Sequence, residues 1–265
     1  MKYRSRIAAC LLSTAMALSA QAQDATKVAE DNPDIDPEAL SVLKDMADYL
    51  VSAKEFVYRS EYGFDVVQDS GVKVEFGASR KILVSRPNRL RVESQRRDGL
   101  RGTVIFDGDH MWAYAPEHNV YAKTEQDGDL EEAIDFAVTE LRMKAPLSDL
   151  ISPDLYEDVT AELIRAYYLG ETVLAGVESH HLLMSNDYAD FQMWVRTGEK
   201  PVLQRIVITY REETGQPQFR AHFLEWDFSP ADMAGKFEFE PPDGAEQVRF
   251  YISAPATDLD QVDEL

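Results

Sequence analysis

The stretch at residues 102–123, GTVIFDGDHMWAYAPEHNVYAK, writes three short strands and two tight turns in consecutive order. Asp107-Gly108 between apolar runs predicts a hairpin, because its turn asks for positive φ at both central positions and Asp and Gly adopt that most readily. Residues 116–119 predict a second turn. The strands then cover 103–106, 110–115 and 120–123. Trp112 and Tyr114 stand two apart, so they share one face of the middle strand and give it large, rigid apolar surface.

Upstream the same period of two continues. Strands at about 56–67 and 72–85 are joined through Gln68-Asp69-Ser70-Gly71, with Val72, Val74 and Phe76 alternating with Lys73 and Glu75. Pro87-Asn88 turns the chain into a strand over 89–96, and Asp98-Gly99 turns it again into the central unit. Strands that follow one another through short turns make an antiparallel meander.

Two amphipathic helices interrupt the β pattern. Asp36 caps the first, Pro37 occupies its first turn and Ile35 precedes the cap; Leu40, Leu43, Ala47, Leu50 and Val51 make its stripe. Asp129 caps the second, with Glu132 as capping-box partner. Leu130, Ala133, Ile134, Ala137, Val138 and Leu141 form its apolar side, and Pro146 stops it. Residues 147–163 read as one or two short helices broken at Pro153. Strands resume over 166–174, 177–185 and 189–196. A long hairpin, 202–211 and 218–228, turns around Thr214-Gly215, and KFEFE at 236–240 reads as a last short strand. The pattern is mainly β, an α+β chain. About ten strands with two substantial helices predict a strongly curved antiparallel sheet, an unclosed half-barrel with helices over its concave face.

Residues 1–22 carry a basic start (Lys2, Arg4, Arg6), an apolar run of about fourteen residues and the small-x-small site Ala20-Gln21-Ala22. That is a secretory signal, too short to span a membrane, with cleavage expected after about Ala22. Ile7-Ala8-Ala9-Cys10 has the outline of a lipoprotein box, but the apolar run continues past the cysteine, so Cys10 is expected to leave with the signal. Residues 23–35 read as an acidic leader, 36–253 as one domain with a helical insertion at about 129–163, and 254–265 as a disordered acidic tail.

The chain holds 27 Lys and Arg against 48 Asp and Glu, a formal net charge of −21, and loss of three basic signal residues would make it −24. That argues against nucleic acid and against docking on anionic headgroups, and it serves solubility first. His180-His181 alternate across a strand and cannot readily share an ion; His110, His118 and His222 lack ligand spacing. Asp127-Gly128-Asp129 is explained by helix capping, and the further ligands of a calcium loop are missing. No nucleophile elbow, zinc-protease motif or phosphate loop is present, so no catalytic residue, metal or cofactor is expected, although paired acids for glycoside chemistry are invisible in sequence.

Three segments together resemble the LolA-like superfamily of bacterial periplasmic lipoprotein carriers and lipid-binding relatives: Ser85-Arg86-Pro87-Asn88, the Asp107-Gly108 to Trp112-Ala113-Tyr114-Ala115-Pro116 hairpin, and Phe237-Glu238-Phe239-Glu240-Pro241-Pro242. The resemblance implies an unclosed barrel whose helices form a lid over an apolar cavity for acyl chains in transit. It also implies that Arg86 hydrogen-bonds the lid, while the departures below point to a separate periplasmic branch of the superfamily. The extra helical residues after Pro146 and the acidity depart from a minimal carrier. Ile82, Val84, Leu90, Val92, Val104, Phe106, Trp112 and Tyr114 are the candidate ligand-binding residues and Arg86 the candidate lid latch; ordinary core packing is the competing account of the apolar set. The expected function is a soluble monomeric periplasmic carrier or chaperone for the acyl chain of a lipid or lipoprotein, with envelope proteins as possible partners and no stable membrane insertion. A non-catalytic interaction or regulatory scaffold on the same fold is the alternative. Burying a dozen methylenes is worth on the order of 10 kcal/mol before ordering costs, enough to support a carrier.

Overall fold

The structure, a computed structural model, describes residues 32–250. The signal, Cys10, most of the acidic leader and the terminal tail lie outside the described residues. The chain makes one curved sheet of twelve strands that does not close. In chain order these are β1 (Glu55–Val67), β2 (Lys73–Ser85), β3 (Arg89–Arg96), β4 (Arg101–Phe106), β5 (His110–Ala115) and β6 (Val120–Glu125). After the helices come β7 (Arg165–Leu174), β8 (Val177–Ser185), β9 (Ala189–Arg196), β10 (Leu203–Tyr210), β11 (Gln218–Asp227) and β12 (Glu246–Val248).

The spatial order is β12-β6-β5-β4-β3-β2-β1-β11-β10-β9-β8-β7. Two antiparallel meanders therefore meet at β1 and β11. The first ends at β6, one strand in from one edge once β12 has added, and the second begins at β7 on the other edge, so the chain must cross the sheet between them. The helical residues after β6 are that crossover: α2 (Leu130–Thr139), a 3₁₀ turn (Ser148–Ile151) and α3 (Leu155–Thr160). With α1 (Pro37–Ser52), which precedes β1, they lie on the concave face.

β1 and β2 pair over thirteen residues each. Strands this long in a bent sheet need points of relief, and Gly63 stands opposite Gly77 at one of them. A Cβ on Gly77 would lie 2.2 Å from the Tyr62 carbonyl oxygen, so only glycine fits there. Register shifts at Arg59/Ser60, Tyr168/Glu171 and Leu203/Arg205 add local twist.

α1 starts as its sequence dictates, with the Asp36 carboxylate accepting from the Glu38 N–H and Pro37 in the first turn. Its buried stripe is Ala39, Val42, Leu43, Met46, Ala47 and Leu50. Leu40 and Val51, expected on the stripe, lie at its half-buried margins. α2 carries the full capping box between Asp129 and Glu132. The expected last strand at 236–240 is not formed. Those residues are a turn and an extended strap, and the last strand is Glu246–Val248, parallel to β6.

The sheet buries a core on each face. The larger, under the helices, joins the α1 stripe to Phe56, Tyr58, Ile82, Val84, Phe106, Met111 and the inward residues of β8 to β11. The smaller lies on the outer face, where Met233 and Phe237 of the strap pack on Leu83 and Ile105 with Val57, Trp112 and Phe239 around them.

Candidate functional site

The cross-strand register lays out the concave face in rows. Val84, Leu90, Phe106 and Met111 make one row, and Ile82, Val92, Val104, Ala113 and Ala122 the next. Ile82, Val84, Phe106 and Met111 are buried under the helices, while Leu90, Val92 and Val104 stay only partly buried. One row further from the helices the face turns polar, with Ser60, Arg80 and Ser94 side by side. Beyond that, Tyr62 and Phe64 of β1 face Ala78 and Phe76 of β2, and Phe76 is 49% exposed.

Six of the eight expected ligand-binding residues thus share this face: Ile82, Val84, Leu90, Val92, Val104 and Phe106. Trp112 and Tyr114 do not. Trp112 pairs with Ile105 and Tyr114 with Thr103, so both rings project from the outer face. There Phe239 of the strap packs on them, with ring centroids 5.4 and 5.5 Å away, and the Lys123 ammonium lies 4.5 Å from the Trp112 ring. The Asp107-Gly108 connection also differs from the expected two-residue turn. Gly108 takes φ +101° but Asp107 does not have positive φ. Its carboxylate instead accepts from the Asp109 and His110 N–H groups and from the Trp112 indole at 2.9 Å. Burial works to raise the Asp107 carboxyl, but these donors outweigh it and hold its pKa below the ordinary value.

Arg86 is the junction between sheet and helices. It follows β2 at the cis peptide to Pro87, and its backbone N–H donates to Lys54 O at 2.8 Å. Its Nε donates to Ala53 O at 3.2 Å, just past the end of α1, and its Nη1 to Ile151 O at 2.6 Å, at the end of the 3₁₀ turn. Pro87 O accepts from the first N–H of α2. One dipeptide therefore touches every helical piece except α3. The guanidinium sits 5.9 Å from the Phe56 ring, its Nη2 is buried without a partner, and burial pulls its pKa below the ordinary arginine value.

Asp149, within the 3₁₀ turn, is driven the other way. Burial, with the nearby Asp158 charge, raises its carboxyl to about 6. Arg80, a functional candidate that the sequence did not single out, points into the concave face, with its guanidinium 4.5 Å from the Tyr62 ring. The signal was its parity, since Arg80 shares a face with Ile82 and Val84.

His180 and His181 point to opposite faces, as alternation requires. His180 Nδ1 meets the Tyr168 hydroxyl at 3.0 Å, and His181 stacks on Trp194 at 4.3 Å. Among the described residues no three His, Cys, Asp or Glu side chains converge on a metal position, and no helix is long and apolar enough to cross a membrane. A cleft of about 470 Å³ opens between α1 and the β8–β9 end, lined by polar groups including Asp45, Asp48, His180, Arg196 and Glu199.

A family model described as "Predicted periplasmic protein (DUF2092)" matches residues 39–251. No curated protein matches the chain. Among solved structures, LprF from Mycobacterium bovis is 11% identical with a TM-score of 0.48, over 77% of this chain and 100% of its own. An uncharacterised conserved protein from Thermus thermophilus is 12% identical with a TM-score of 0.46, over 80% and 99%. The lipoprotein LppX from Mycobacterium tuberculosis is 11% identical with a TM-score of 0.45, over 74% and 98%.

Proposed function

Because the chain belongs to the DUF2092 family of predicted periplasmic proteins, we propose that it is a periplasmic carrier or chaperone that holds the acyl chain of a lipid or lipoprotein on the concave face of its open sheet. The observation that carries this reading is the apolar band beside the helices. Leu90, Val92 and Val104 are inward-facing, aliphatic and only partly buried, and they continue without a break into the buried Ile82, Val84 and Phe106. Apolar surface left open next to a movable cover is worth about 25 cal/mol per Å² to any ligand that dries it. Arg86 supplies the control. It grips the end of α1 and the 3₁₀ turn through single carbonyls, a contact that yields when a ligand lifts the cover. The role is binding without chemistry, by a monomer, and the chain's acidity keeps it off nucleic acid and anionic membranes.

Native mass spectrometry of the mature protein taken from periplasm, followed by organic extraction, tests this directly. A discrete acyl-containing adduct is expected. A clean apo mass that also refuses added fatty acid and phospholipid would leave the second reading, a periplasmic interaction scaffold. The edge of β7 favours that alternative. The N-terminal residues Asp34 to Asp36 cover it only as far as Tyr168, and Leu169 and Val173 beyond are 51% and 65% exposed. An extended partner segment can add to such an edge.

A further inference from the structure

The polar row that ends the apolar band has no structural account of its own. Arg80 sits on the concave face between Ile82 and Ala78, and its guanidinium makes no hydrogen bond or ion pair with any described residue. Its Nε is buried without a partner. The Tyr62 ring accounts for the face of the guanidinium but leaves its N–H edge unanswered. The other interior arginines are committed: Arg86 to two carbonyls, Arg220 to Asp65, and Arg211 to Asn186 and Asp190. Among the described residues, no carboxylate forms an ion pair with Arg80. An unpaired, partly buried guanidinium costs stability, so its retention calls for a partner that arrives from outside.

Hydroxyls surround it. Ser60 stands directly across from Arg80 on β1 and is 5% exposed, Ser94 stands across on β3, and Tyr58 is two residues along β1 on the same face. Burial drives the Tyr58 phenol far above its ordinary pKa, and the Arg80 charge opposes that, so the two are within electrostatic reach. The Tyr58 and Ser60 hydroxyls, like Arg80, make no side-chain hydrogen bond among the described residues. Adjacent same-face rows are about 7 Å apart, so this polar group lies one row from Val92 and Val104 and two rows from Leu90 and Phe106.

The geometry points to Arg80 as the headgroup anchor of the acyl site: the ligand is an anionic amphiphile whose carboxylate or phosphate meets Arg80, Ser60 and Tyr58 while its chain runs over Val92 and Val104 toward the helices. This deepens the carrier reading and rests on it. A planar guanidinium matches either oxyanion through two parallel N–H groups, which an ammonium cannot do.

The test uses the mature chain, a fluorescent uncharged acyl probe, and four competitors: palmitate, palmitoyl lysophosphatidate, neutral monopalmitoylglycerol and inorganic phosphate. Wild type is expected to bind the two anionic lipids about 10- to 100-fold more tightly than the neutral one, the range of about one charge-assisted hydrogen bond. Whichever anionic lipid has the larger margin names the headgroup. Arg80→Gln should lose the margin while binding monopalmitoylglycerol as before, and Arg80→Lys should regain part of it. A wild-type protein indifferent to headgroup charge, or an Arg80→Gln protein that keeps the margin, overturns the anchor and leaves the carrier standing. Failure of wild type to bind any acyl compound overturns both. Loss of the palmitate margin in millimolar inorganic phosphate would mean a site for a free anion, and the headgroup assignment would fall.

Discussion

Replacing Arg86 with leucine removes the two bonds that tie the sheet to the ends of α1 and the 3₁₀ turn, to Ala53 O at 3.2 Å and Ile151 O at 2.6 Å. Hydrogen bonds from a charged donor are worth about 1.5–3 kcal/mol each, so the gross loss is about 3–6 kcal/mol. Much of it is returned, because the mutant no longer holds a partly buried guanidinium with an unsatisfied Nη2, and leucine refills the volume of the aliphatic stem. A net weakening of the closed arrangement by about 1–3 kcal/mol follows, a fall of roughly 5- to 150-fold in its closed-to-open ratio. Amide hydrogen exchange resolves this by segment. Residues 50–54 and 148–160 should exchange faster by that factor in Arg86→Leu, while Ile206 to Ile208 in the middle of β10 should not change. Acyl loading and release should shift with the exchange, and the global unfolding midpoint should move little. Arg86→Lys, which can reach one carbonyl but not both, should fall between. A folded Arg86→Leu protein with wild-type exchange, loading and release would refute the latch.

Asp149 titrates inside the same cover. Its folded pKa of about 6 stands above the ordinary 3.8. The neutral form is therefore the one the fold tolerates, and stability present below pH 4 is lost as pH rises through 6. Asp149→Asn should leave stability near pH 4 unchanged and raise it by about 1–3 kcal/mol above pH 7, flattening the profile seen in urea melts; parallel profiles would show the carboxyl to be solvated. Phe237, 2% exposed in the outer-face core, should cost about 3–5 kcal/mol on truncation to alanine, with a red shift of Trp112 emission but no change in acyl affinity per folded molecule. An unmoved urea midpoint would mean that the strap is not docked.

The meanders, the helix caps and the helical break at Pro153 were legible in sequence because each rests on local chemistry: alternation, Asp129 with Glu132, and a missing proline N–H. Three things were not. The crossover from β6 to β7 looked like an insertion, because nothing local tells a chain that its next strand belongs at the opposite edge; that is fixed only when β11 pairs with β1. KFEFE alternates as a strand does, yet its phenylalanines dock on an existing sheet face and leave its backbone unpaired, a tertiary outcome that overrides pattern. The misplacement of Trp112 was avoidable. A connection that leaves an even number of unpaired residues between two strands pairs even-numbered positions with odd-numbered ones, as Phe106 with Met111 and Ile105 with Trp112 show. Trp112 could never have shared a face with Phe106.

That parity also separates the work of the two faces. The outer face spends its aromatic side chains, Trp112, Tyr114 and Tyr121, on binding the chain's own strap through Phe239. The β3–β4 stretch of the concave face carries aliphatic residues, which impose little directional preference on what lies over them, and it ends at one uncommitted guanidinium. The helices bury Phe106 and Met111 but leave Leu90, Val92 and Val104 only partly covered. Bulky substitution in this band, such as Val104→Trp, therefore separates core from cavity. In a filled core it overpacks and destabilises by about 1–3 kcal/mol. In a ligand site it leaves unfolding nearly unchanged and blocks acyl binding, and this second outcome is the one expected.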